Sequence, residues 1–132
     1  MKKLTSLIAL PLLASVSVMA VANDKAQEDA RAMDAATVVR KAVNYNCGQG
    51  KRLKVTYGFN KQGLPTYAQA YLNGKTRFMP INLNYSDMVG TTFGDENNFS
   101  LSTEGITSKK YRKAIQVQSP SSEIIYKSCS PR

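Results

Sequence analysis

The stretch Leu53, Val55, Tyr57, Phe59 alternates strictly with Arg52, Lys54, Thr56, Gly58. A period of two places all four apolar side chains on one face of an extended strand and the basic and small residues on the other. No helix can segregate this pattern. The chain must therefore build a sheet with one dry face and one wet face. The same texture recurs in Val39–Cys47, where Val43, Tyr45 and Cys47 oppose Arg40, Asn44 and Asn46. It predicts further strands at Thr66–Leu72, Lys75–Ile81, Thr91–Phe93, Phe99–Thr103, Tyr111–Val117 and Ile124–Cys129.

The segments between these strands carry turn chemistry. Gly48-Gln49-Gly50, Asn60–Gly63, Gly94–Asn98 and Ser119–Ser122 are rich in residues that favour turns. Asn73-Gly74 between two strand-like runs marks a two-residue hairpin. The stretch Asn82–Gly90 is polar with Tyr85 and Met88 embedded, and reads as a long loop. Seven or eight short strands at this spacing predict an all-β fold, either a small antiparallel barrel or a sandwich.

The amino terminus belongs to a different class. Met1-Lys2-Lys3 is followed by an apolar run and then by small residues ending in Ala20-Val21-Ala22. This is the layout of a signal peptide over residues 1–22, with cleavage before Asn23 and Val18-Met19-Ala20 as a second option. Residues 23–37 are Ala-rich and charged and are expected to be a loosely ordered extension, because an isolated helix of that length is marginal in water. Residues 38–132 then form the folded domain. Export to an oxidising compartment gives the two cysteines, Cys47 and Cys129, a structural meaning as one disulfide. Joining the first strand to the last ties the two sheet edges together, which favours the barrel.

The inventory of residues excludes much chemistry. The 132 residues include no His, so a Ser-His-Asp triad and a His metal site are impossible. Asp95-Glu96 are neighbours in a turn, Ser86-Asp87 has no His partner, and no carboxylate cluster of calcium-loop type occurs. The sequence predicts a binding protein with no catalytic residue, no cofactor and no metal. Its 18 basic against 9 acidic residues favour anionic partners. Nucleic acid is disfavoured, since the aromatics and bases of Leu53–Phe59 lie on opposite faces whereas a stacking platform needs both on one. Recognition is expected in the loop Pro80–Gly94, which carries Tyr85, Ser86, Met88 and Phe93.

Tyr45-Asn46-Cys47, the run Gly50–Leu64, Asn73-Gly74-Lys75, Met79-Pro80, Ser86-Asp87, Tyr111-Arg112-Lys113 and the ending Lys127–Arg132 resemble the adhesin complex protein family of Gram-negative bacteria. That family is similar to the membrane-bound and periplasmic inhibitors of c-type lysozyme. The resemblance spans residues 38–132 and implies an eight-stranded antiparallel β-barrel closed by one disulfide. It further implies a location in the periplasm, outer membrane or cell surface, with peripheral outer-membrane association. Its implied partners are c-type lysozyme, itself cationic, and host-cell surface receptors or acidic glycans. A module that binds acidic host glycans or lipopolysaccharide without inhibiting lysozyme is the competing reading.

In the related inhibitors a Ser-Gly-x-x-Tyr loop and a nearby Lys enter the enzyme's cleft and engage its catalytic carboxylates. Counted from Met79-Pro80, Ser86 stands where that serine would be. Here Asp87 follows it in place of Gly, Gly90 holds the last motif position, and Phe93-Gly94-Asp95-Glu96 offers acids where a cation is expected. The resemblance thus implies Ser86; with its loop neighbours Tyr85, Asp87 and Met88 it makes the expected lysozyme-binding set, and Arg112 or Lys113, close to a turn on a neighbouring strand, is expected to supply the positive charge.

Overall fold

The alternation seen in the sequence becomes eight antiparallel strands in the computed structural model, which describes residues 31–132. The strands are β1 (Val39–Asn46), β2 (Arg52–Phe59), β3 (Pro65–Leu72), β4 (Lys75–Pro80), β5 (Gly90–Gly94), β6 (Ser100–Glu104), β7 (Ile115–Gln118) and β8 (Ile124–Pro131). Each pairs with its neighbour in sequence except β4 and β5, which are the two edges of the sheet, and β8 returns to pair with β1. The first and last strands are therefore adjacent, as closure requires. Their ladder is short, with Tyr45 opposite Pro131 and Asn46 opposite Ser130, extended by Arg132 N donating to Asn44 O at 2.9 Å.

Between β4 and β5 the wall is closed by less. Ile81 bridges to Phe93, Asn82 N donates to Thr92 O at 2.8 Å, and Asn82 Nδ2 donates to Gly94 O at 2.9 Å. The result is a nearly closed barrel.

The inward face carries the core. Val43 and Tyr45 of β1, the four apolar residues of β2, Ala68, Ala70 and Leu72 of β3, Met79, Phe93, Leu101, Ile115 and Val117 are all buried. Full burial of a side chain of this size contributes about 1.5–3 kcal/mol against leaving it in water. Two of these residues carry hydroxyls, and each satisfies the other: Tyr45 Oη and Tyr57 Oη lie 2.6 Å apart. Among the described residues no buried side-chain nitrogen or oxygen lacks a partner.

Cys47 and Cys129 form the expected disulfide across 82 residues. By the loop-closure argument a bridge of this span stabilises the fold by about 4–5 kcal/mol. It fastens the end of β1 to β8, where the backbone ladder is only two pairs long.

Two features of the outer surface depend on particular residues. Asn73 and Gly74 both have positive φ, 48° and 84°, as a two-residue hairpin of this kind demands. Gly58 lies beneath Tyr67 of β3, and a Cβ at Gly58 would come within 2.3 Å of that ring. The missing side chain lets Tyr67 lie flat on the outside of the sheet, stacked on Phe78 at 4.5 Å and accepting a hydrogen bond from Arg40 Nε at 2.9 Å.

The last expected strand pair differs in detail. Residues 111–114 are irregular and β7 begins only at Ile115. Tyr111 turns its ring onto Phe59 at 6.1 Å and covers the core there instead of extending the ladder. The proposed signal peptide, 1–22, lies outside the described residues. Of the expected extension 23–37, residues 23–30 also lie outside the described residues, residues 31–36 are helical, and Thr37 Oγ1 donates to Met33 O at 2.7 Å.

Candidate functional site

In a meander, alternate connections share one end of the barrel. The turn 60–64, the loop 81–89 and the long segment 105–114 therefore gather together. Ser108 N donates to Gly63 O at 3.0 Å and Gly105 N to Val89 O at 2.8 Å, tying the three into one surface. Gly105 permits this approach, since a Cβ there would meet Met88 O at 2.4 Å.

Local hydrogen bonds, not burial, shape the central loop. Asn82 Oδ1 accepts from Asn84 N at 3.1 Å and starts a 3-10 turn over Leu83–Tyr85. Ser86 Oγ accepts from Thr92 N at 3.0 Å and donates to Thr92 O at 3.2 Å, so one hydroxyl replaces a rung of ladder beside β5. Asp87 Oδ1 accepts from Val89 N and from Gly90 N, each at 2.8 Å, while Asp87 N donates to Gly90 O at 2.8 Å. Those two backbone donors, Gly90 first, hold the Asp87 carboxyl below its ordinary pKa. The turn is thus held by an ionised acid.

What the loop presents is apolar. Leu83 is 77% exposed, Tyr85 67%, Met88 97% and Val89 82%. Four large apolar side chains on one short loop form an unusual surface for a soluble domain. Beside them runs a groove of about 440 Å³, lined by Leu64, Ile81, Leu83, Met88, Ile106 and Thr107 among others.

The structure brings Tyr85, Ser86, Asp87 and Met88 together on this loop, but with divided duties. Tyr85 and Met88 point outward, whereas Ser86 bonds to the backbone of Thr92 in β5 and Asp87 Oδ1 to the backbone of Val89 and Gly90. Phe93, expected within the loop, is fully buried in β5. Arg112 and Lys113 lie at the same end in the irregular segment before β7. Arg112 Nη2 donates to Arg132 O at 2.7 Å, which draws it toward the chain's last residues. The sequence reading missed Leu83 and Val89. An apolar residue at each flank of a polar loop was the available signal, and neither fits a buried period.

Among the described residues no group of His, Cys, Asp or Glu is arranged to hold a metal ion. No helix among them is long and apolar enough to cross a membrane.

Comparison with known proteins gives a consistent picture. The family profile for ACP-like domains matches residues 41–131. A solved structure described as the Adhesin Complex Protein from Neisseria meningitidis is 47% identical, with 70% of this chain and 100% of that chain covered and a TM-score of 0.67. A second, PliC-St, the periplasmic lysozyme inhibitor of C-type lysozyme from Salmonella typhimurium, is 16% identical. Its match covers 71% of this chain and 99% of that one, with a TM-score of 0.51, and reflects the shared fold. No curated protein matches the chain.

Proposed function

Since the chain belongs to the family of ACP-like domains, we propose that it is an exported inhibitor of c-type lysozyme that also serves as a surface adhesin. A signal peptide over residues 1–22 delivers it to the periplasm, outer membrane or cell surface. The loop 82–90 blocks the enzyme's active-site cleft.

The observation carrying this reading is the pairing of internal rigidity with outward apolar display in that loop. Ser86 and Asp87 fix the backbone before any partner arrives, so little conformational entropy remains to be lost on binding. Tyr85 and Met88 supply contact area to the walls of the cleft. Arg112 or Lys113, at the same end, faces the acidic residues of the partner, where charge-assisted hydrogen bonds are strong.

The division of labour within the loop modifies what the family comparison alone implies. Ser86 acts as a positioning residue, and the side chains that touch the enzyme are Tyr85 and Met88. The test is a lysozyme activity assay with wild type, Tyr85→Ala and Met88→Ala. Full inhibition at near-equimolar ratio by the wild type, and weakened inhibition by both variants, supports the reading. No inhibition at large excess leaves adhesion alone.

A further inference from the structure

The excess of positive charge is confined to one half of the barrel. Between residues 35 and 86, which include β1 to β4, stand eight Lys and Arg and not one Asp or Glu. Residues 87–132 hold six bases and five acids. Of the eight, Arg40 pairs with Asp34 at 2.9 Å, while Lys51 and Arg77 donate to backbone carbonyls and lie over aromatic rings. Lys41, Arg52, Lys54, Lys61 and Lys75 are in no ion pair among the described residues.

Register shows where the unpaired charges sit. On β2, Arg52 and Lys54 project from the outer face, opposite Asn46 and Asn44 of β1. Two residues along a strand places them about 7 Å apart. Val55 pairs with Ala70, so Lys54 and Tyr71, the next residue on each strand, lie side by side on the outer wall. Tyr71 stands opposite Thr76 of β4 and is 64% exposed.

From this arrangement we infer that the outer wall of β1–β4 is a binding site for an acidic polysaccharide, with Tyr71 as the platform for one sugar ring. Arg52 and Lys54 meet its carboxylate or sulfate groups. A field of one sign concentrates a polyanion against the wall, the one carboxylate described beside it, Asp34, being held by Arg40. Asn44, Thr56, Gln69 and Thr76 lie on the same outer face and offer amides and hydroxyls to the sugar hydroxyls. Nucleic acid fits less well, because successive bases need successive rings. Here Tyr67 is buried and stacked on Phe78, leaving Tyr71 as the open aromatic of this wall.

Arg52, Lys54 and Tyr71 lie toward the hairpin end of β3–β4, opposite the end that carries loop 82–90. The two surfaces are separate, so this site stands whether or not the loop inhibits lysozyme.

The experiment is binding of the full chain to heparin and to hyaluronan, with neutral dextran, duplex DNA and phosphatidylglycerol vesicles alongside. The double variant Arg52→Gln/Lys54→Gln weakens binding to both acidic glycans roughly tenfold. Lys109→Gln/Lys110→Gln removes the same charge from the other half and leaves glycan binding near the wild-type value. Tyr71→Ala weakens glycan binding without changing retention on a simple cation exchanger. Lysozyme inhibition, measured without glycan, stays at the wild-type level in Arg52→Gln/Lys54→Gln and in Tyr71→Ala. Equal losses from the two double variants, an unaltered Tyr71→Ala, or DNA or vesicle binding as tight as glycan binding would each overturn the assignment.

Discussion

Ser86 and Thr92 are joined by two hydrogen bonds through one hydroxyl, which accepts the Thr92 amide at 3.0 Å and donates to the Thr92 carbonyl at 3.2 Å. Ser86→Ala removes both and leaves the Thr92 amide to water, while the Thr92 carbonyl keeps Asn82 N as its donor at 2.8 Å. Each such bond contributes about 0.5–1.5 kcal/mol, so inhibition should weaken several-fold while the fold survives. The Thr92 amide should exchange faster with solvent. Unchanged exchange with weakened inhibition would instead mean that Ser86 touches the enzyme directly.

Asp87 makes the loop sensitive to acid. Its carboxyl is held below the usual range by the Gly90 and Val89 amides, so the ionised form belongs to the ordered turn. A depressed pKa contributes order that is fully present above the ordinary value near 3.9 and is lost as pH falls through the folded value. Exchange of the Val89 and Gly90 amides, corrected for intrinsic rate, should be constant from neutral pH to about 5 and accelerate below about 4. Asp87→Ala should show the fast behaviour at every pH.

The buried phenol pair gives the opposite dependence. Desolvation, followed by the neighbouring Tyr45, pushes the Tyr57 phenol far up, and desolvation also raises Tyr45. A raised phenol pKa leaves stability intact below the unfolded value near 10 and removes it as pH rises beyond. Thermal unfolding should therefore be flat through neutral pH and fall steeply above about pH 10. Tyr45→Phe/Tyr57→Phe should flatten that alkaline limb. Tyr57→Phe alone leaves the Tyr45 hydroxyl buried without its partner and should cost about 1–3 kcal/mol.

Gly58→Ala tests the outer aromatic stack. The added Cβ would lie 2.3 Å from the Tyr67 ring, which is itself held by Phe78 and Arg40. Relief requires moving the whole cluster. Overpacking of this kind costs about 1–3 kcal/mol, read as a lower denaturation midpoint. Gly58→Ala/Tyr67→Ala should recover part of the loss that the clash alone imposes.

Salt distinguishes the long-range from the short-range electrostatics of the proposed complex. The chain carries a formal net charge of +9, and c-type lysozyme is cationic too. Repulsion slows encounter, and screening at moderate salt relieves it. The association rate should rise as salt is raised from low to physiological values. A steep fall would show that attraction, not local fit, drives the approach.

The strands were legible in the sequence because half-buried sheets impose period two, and Leu53 to Phe59 obey it without exception. The Asn73-Gly74 hairpin was equally plain, since its conformation needs those residue types. The disulfide followed from the pairing of two cysteines with an export signature. Tyr111 was misplaced because its apolar character is the same whether it lines a strand or folds over the barrel mouth onto Phe59. The loop's residues were found, but their duties were not. Whether Ser86 points at a partner or at Thr92 depends on where β5 runs, which local sequence does not encode. The charge asymmetry was present as a count, yet its meaning required the register that puts Lys54 beside Tyr71.

Loop 82–90 is also the strap across the barrel's thinnest seam, where Ile81 meets Phe93 and Asn82 holds Thr92 and Gly94. Latch and bait are one piece of chain. Whatever grips the bait also keeps the latch shut, so an occupied inhibitor should resist heat and proteases throughout its wall, far from the point of contact.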